Sequence, residues 1–146
     1  MIEMRIITNS KQETIEAGFN FAKQLKISDI VLLYGGLGAG KTEFCKGICQ
    51  FFEVEGTVTS PTFTIINQYY ANDFDFTIYH IDLYRIKNEK EIDEIGLYEF
   101  LYDDNSLKLI EWPEKNTKSF PEGVIDVQFS FDTANKNKRL IEIMKK

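Results

Sequence analysis

The chain has 146 residues, 43% of them hydrophobic and 27% charged, proportions that suit one globular domain and exclude a disordered segment. A formal net charge of −6 argues against an extended grip on nucleic-acid phosphates. No apolar run approaches the roughly eighteen residues of a membrane span, and the first ten residues carry no basic leader, so the expectation is a cytoplasmic protein without a membrane role.

Met4 to Thr8 reads as a short strand. Ser10, with Glu13 as its capping-box partner, begins a helix to about Leu25, in which Ile15, Phe19, Ala22 and Leu25 are spaced as an inner face. Asp29 to Tyr34 is a continuous apolar run, the pattern of a strand covered on both faces. The glycine-rich turn Gly35 to Gly40 leads into a helix from Lys41 to about Phe52. Cys45 and Cys49 on that helix read as small core side chains, not as a disulfide or zinc pair.

The Ser60-Pro61 step breaks the chain, and Thr64 to Tyr70 follows as a strand. Asn72-Asp73 turns it back into Phe74 to Tyr84, along which Phe76, Ile78, His80 and Asp82 share one face. Asn88 caps a helix from Glu89 that is interrupted near Gly96 and resumes to about Leu101. Leu107 to Trp112 is another strand, stopped at Pro113. Val124 to Phe131 alternates, with Ile125, Val127, Phe129 and Phe131 opposite Asp126, Gln128 and Ser130, the mark of a half-exposed strand in antiparallel pairing. Asn135 to Lys138 turns the chain into a last strand, Arg139 to Met144. Strand–helix–strand order early and hairpins late predict a single α/β domain: a mixed sheet flanked by helices, with an antiparallel hairpin at the C-terminal end.

Gly35 to Thr42 matches G-x-x-x-x-G-K-[ST] at every fixed position, behind an apolar strand and ahead of a helix, as a P-loop requires. Gly36, Gly38, Ala39 and Gly40 would turn backbone N–H groups inward on phosphate oxygens, and the backbone of Glu43 continues that cradle. Lys41 would place a charge on the β and γ phosphates, and Thr42 a hydroxyl on Mg²⁺. The expected ligands are therefore ATP and Mg²⁺. The metal site also needs an acid at the end of a neighbouring strand, and both Asp82 and Glu111 stand there. Either can hold the metal while the other orients or deprotonates the attacking water, and the residues alone leave that division open. Ser60 to Thr64 lies where many P-loop proteins have a nucleotide-sensing switch.

Taken together, Tyr34 to Thr42 (YGGLGAGKT), Val58 to Thr64 (VTSPTFT), Tyr79 to Arg85 (YHIDLYR), Glu94 to Phe100 (EIGLYEF) and Leu109 to Glu114 (LIEWPE) resemble the TsaE (YjeE) family of bacterial tRNA threonylcarbamoyladenosine synthesis. The resemblance implies ATP hydrolysis in support of the partner proteins TsaB and TsaD, with tRNA reached only through that complex. It implies Lys41 and Asp82 as catalytic residues, Thr42 and Glu111 as the magnesium ligands, and Trp112 beside the metal acid. It also places the stretch Thr8 to Lys11 along the adenine. Glu43 departs from the family, which commonly has threonine there.

Three other readings are weighed. A GTPase would carry N-K-x-D, which is absent, and Asp93-Glu94-Ile95-Gly96 falls in a helix-like stretch and not at a strand end. A small-molecule kinase would want clustered cations, whereas Arg85 sits at a strand end and Arg139 in the terminal hairpin. A nucleotide-binding interaction module would use Tyr69, Tyr70, Tyr98, Phe100 and Tyr102 as a docking surface.

Overall fold

The computed structural model describes residues 3–61, 64–135 and 137–146. The chain forms β1 (Met4–Thr8), α1 (Lys11–Ala22), β2 (Ile30–Tyr34), α2 (Lys41–Phe51), β3 (Ile66–Ala71) and β4 (Phe76–Asp82). It continues through α3 (Glu89–Ile95), α4 (Leu97–Leu101), β5 (Ser106–Glu111), a 3-10 turn (Pro113–Lys115), β6 (Ile125–Phe131) and β7 (Arg139–Lys145). The strands make one sheet in the order β1-β7-β6-β2-β5-β4-β3. β6, β2, β5 and β4 run parallel, while β7, β1 and β3 are added antiparallel at the flanks. The expected mixed α/β sheet with a terminal antiparallel hairpin is therefore the observed architecture.

β2 is central because its five residues offer an apolar side chain to each face, and Ile30 to Leu33 are all buried. Val31 and Leu33 join Phe44, Ile48, Ile78, Leu109 and Val127 under α1 and α2. Ile30 and Leu32 join Ile81, Ile92, Leu97 and Ile110 under α3 and α4. Asn88 caps α3 by accepting from the Glu91 N–H at 3.1 Å, and Gly96, at φ 70°, separates α3 from α4. Among the described residues no helix is long and apolar enough to cross a membrane.

α1 corrects one expectation. Its start is as predicted, with Ser10 Oγ accepting from the Glu13 N–H at 3.1 Å, while Glu13 reaches back to the Asn9 N–H at 3.1 Å. Its buried face, however, is Thr14, Ala17, Gly18, Phe21 and Ala22, and Phe19 is exposed. The seam with α2 is made of small residues. A Cβ on Gly18 would lie 2.0 Å from the Phe44 carbonyl oxygen, and one on Gly47 would lie 1.9 Å from that of Ile15. The two helix backbones touch, and the larger Ile15 and Phe19 flank the seam.

β6 corrects a second. It pairs antiparallel with β7 but parallel with β2, so its first half lies inside the sheet. Asp126 is consequently buried, bonded to Lys146 Nζ at 2.8 Å, and Phe131 at the far end is exposed.

Candidate functional site

Parallel pairing of β2, β5 and β4 brings three C-terminal strand ends together, the place where open α/β sheets gather ligands. β2 runs into the glycine turn, and Asp82 and Glu111 stand opposite each other in the β4–β5 register. The turn closes on Gly40 at φ 106°, a conformation that glycine adopts without strain, and α2 begins at Lys41. A Cβ at Gly36 or Gly38 would meet nothing within 4 Å, so the turn opens on free space. A cleft of about 250 Å³ lies over it, lined also by Thr42, Ser60, Asp82, Tyr84, Glu111 and Trp112.

Lys41 is buried, its ammonium donating to the Gly35 carbonyl and lying 3.8 Å from the centre of the Trp112 ring. Burial pulls its pKa down, against the carboxylates of Glu111 and Asp82, which push it back up. Thr42 Oγ1 donates to Glu111 Oε2 at 3.4 Å, and the same oxygen lies 2.6 Å from His80 Nε2. Asp82 Oδ1 accepts from the Tyr84 N–H at 2.8 Å, which ties its carboxylate to the turn after β4. Trp112 adopts φ 58°, a region unfavourable for a bulky side chain, and its ring lies 4.9 Å from that of Tyr84. A hydroxyl and a carboxylate beside an anion cradle are the hard oxygen donors that suit Mg²⁺.

Cys45 Sγ and the ligating atoms of His80 and Glu111 lie within 4.8 Å of one another. The 2.6 Å between Nε2 and Oε2 is a hydrogen bond. Two ligands on one tetrahedral zinc ion stand about 3.3 Å apart, so the trio is a hydrogen-bonded His80–Glu111 pair with the Cys45 thiol packed nearby. Burial pushes the Cys45 thiol well above its ordinary pKa and the Cys49 thiol up to about 12, as befits inert core cysteines.

The predicted site residues Gly36, Gly38, Ala39, Gly40, Lys41, Thr42, Glu43, Asp82 and Glu111 all line this one cleft or the turn beneath it. Thr62 and Phe63 of the Ser60–Thr64 segment lie outside the described residues; Ser60 lines the cleft, and Thr64 Oγ1 donates to Asn67 Oδ1 at 2.8 Å. Behind the turn a second cavity of about 170 Å³ is bordered by Ser10, Lys11, Thr14, Asn137 and Arg139. Of the stretch Thr8 to Lys11, Ser10 and Lys11 line this cavity beside the glycine turn, whereas Thr8 is buried with its hydroxyl 2.8 Å from that of Thr14. Of the aromatics read as a docking surface, Tyr69, Tyr98 and Phe100 pack against the cores, while Tyr70 and Tyr102 are exposed.

Two residues of the site were not assigned to it from the sequence. Arg139 is not remote: its Nη2 donates to the Gly38 carbonyl at 3.0 Å, and its Nη1 is buried without a partner among the described residues. His80 is fully buried against Glu111. The one sequence signal was that His80 shares a face with Asp82; nothing local marks Arg139.

The model of the family described as threonylcarbamoyl adenosine biosynthesis protein TsaE matches residues 8–141. The chain is 44% identical over 137 residues to the tRNA threonylcarbamoyladenosine biosynthesis protein TsaE of Rickettsia conorii, covering 93% of this chain and 75% of that protein. It is 42% identical over 144 residues to the protein of the same description from Rickettsia bellii, covering 98% and 96%. Its fold is similar to the crystal structure of Bacillus subtilis YdiB, with a TM-score of 0.75 and 27% identity over 98% of this chain and 86% of that one.

Proposed function

The chain belongs to the TsaE family of tRNA threonylcarbamoyladenosine biosynthesis, and from that premise we propose that it is an ATPase acting on a TsaB–TsaD complex. The observation that carries the reading is the convergence of a complete phosphate loop with Thr42, Glu111 and Asp82 in one cleft. Phosphates of ATP would lie on the N–H groups of Gly36 to Glu43 and the N-terminus of α2, whose dipole favours anions. Lys41 exchanges the Gly35 carbonyl and the Trp112 face for phosphate oxygens, so its resting contacts hold a buried cation until the anion arrives. Thr42 and Glu111 would hold Mg²⁺, and the ion, when bound, would supply positive charge against the phosphoryl oxygens. Asp82, one strand over from Glu111, orients the attacking water and takes its proton.

The net charge of −6 disfavours a direct grip on tRNA and supports the reading in which the complex holds it. The test is ATP hydrolysis by the pure chain, alone and with TsaB and TsaD added. Stimulation by the pair, and loss of nucleotide binding in Lys41→Ala, are the expected results. Unchanged nucleotide affinity in Lys41→Ala would remove the loop from the chemistry, and stimulation by a small metabolite in place of the pair would make the protein a kinase.

A further inference from the structure

We infer that His80 is a positioning residue for the metal acid, its Nε2–H holding the Glu111 carboxylate toward Thr42 and away from Lys41; the assignment rests on the ATPase reading above. Three groups compete for Glu111. Thr42 Oγ1 reaches Oε2 at 3.4 Å, His80 Nε2 reaches it at 2.6 Å, and Glu111 is the carboxylate that Lys41 feels most strongly. An ionised carboxylate only accepts, so His80 donates from Nε2.

Without that donor the strongest pull on Glu111 in a buried cleft is the lysine ammonium. A Glu111–Lys41 pair would remove the metal ligand and neutralise the phosphate-binding charge together. His80 prevents this from a rigid base. It has no exposed surface, its strand lies between β3 and β5, and it pairs in register with Leu109. Cys45 fills the remaining side as an uncharged thiol and does not compete. The arrangement leaves His80 Nδ1 buried without a partner among the described residues. An apolar residue would avoid burying an orphan acceptor, so packing alone does not account for an imidazole here.

The test compares His80→Leu, which removes the donor, with His80→Gln, whose amide restores an N–H near the Nε2 position. Mg²⁺ is titrated calorimetrically into each protein saturated with a non-hydrolysable ATP analogue, analogue affinity is measured in EDTA, and ATP turnover is followed against Mg²⁺. Outer-shell partners of metal ligands typically contribute roughly 10- to 100-fold in affinity or activity. We expect a loss of that size in Mg²⁺ affinity for His80→Leu, a weaker metal-free analogue affinity in the same variant as Lys41 is drawn to Glu111, and recovery of both in His80→Gln. Wild-type Mg²⁺ affinity in His80→Leu would overturn the assignment, as would equal loss of metal-free analogue affinity in both variants, which marks a structural role only. If the unmutated chain shows no Mg²⁺-dependent analogue binding or turnover, with or without TsaB and TsaD, the ATPase reading itself falls, and the assignment with it.

Discussion

Gly47→Ala should be among the most damaging single-methyl changes in the molecule. A Cβ there would stand 1.9 Å from the Ile15 carbonyl oxygen, 2.7 Å from Phe19 N and 2.9 Å from Ile15 C. All three are backbone atoms of α1, so no side chain can swing aside. Restoring an ordinary contact of about 3.3 Å requires α1 and α2 to part by more than an ångström, and gaps of that size forfeit a quarter to a half of the dispersion well. The residues that lose contact are Ala17, Phe21, Phe44 and Ile48, all at the bottom of the α1–α2 core. Overpacking typically costs about 1–3 kcal/mol, and replacing a helical glycine by alanine returns up to about 1 kcal/mol. An immovable backbone puts this site at the upper end, for a net loss of about 2–3 kcal/mol. Urea unfolding would read it as a midpoint lowered by about 1–1.5 M, for a slope near 2 kcal/mol/M. Gly36→Ala is the control, since a Cβ there meets nothing within 4 Å, and it should unfold within about 0.5 kcal/mol of the parent. A Gly47→Ala midpoint matching that of Gly36→Ala would refute the claim that the helix backbones are in contact.

Asp82→Asn keeps the acceptor for the Tyr84 N–H but removes the proposed base, so ATP binding should stay within twofold while turnover falls about 10²- to 10⁴-fold; normal turnover would exclude Asp82 from the proton transfer. Arg139→Leu removes the bond to the Gly38 carbonyl and should weaken ATP binding about five- to tenfold, measured by calorimetry, a discounted value for a partly exposed charge-assisted bond. Cys49, pushed up to about 12, holds only about one thiolate in ten thousand at pH 8. Native protein should therefore resist iodoacetamide at that pH at both Cys45 and Cys49, with two alkylations by mass appearing only in denaturant. Raising the pH speeds the reaction by ionising the thiols, and rapid native labelling at pH 8 would contradict their burial.

What the sequence revealed was what is local or periodic. The glycine-rich motif is contiguous, so Gly35 to Thr42 can be read without knowing the fold. Asp82 and Glu111 were found because parallel strands deliver their last residues to a common edge, whatever the strand order. Arg139 needed the strand order itself, since only the β1-β7-β6-β2 arrangement places the start of β7 beside a loop 101 residues away in sequence. The inner face of α1 was misread because periodicity weighs large apolar residues, whereas Gly47 on another helix chose the seam. Asp126 looked like an outward residue of an antiparallel strand, and it is buried because β6 has a parallel neighbour on its other side.

The pairing of β1 with β7 also sets the order in which the protein can be assembled as it is made. Met4 lies opposite Ile143, so β1 leaves the ribosome long before the partner strand that follows it exists. At ordinary translation rates that wait is roughly ten seconds. In this interval β2 and α2 can form and α1 can dock on α2 through the glycine seam, which keeps β1 tethered near its place. The strand that ends the wait begins with Arg139, whose guanidinium reaches Gly38. Closing the sheet and completing the back wall of the glycine turn are thus one event, and a nascent chain short of β7 has a turn that lacks its arginine.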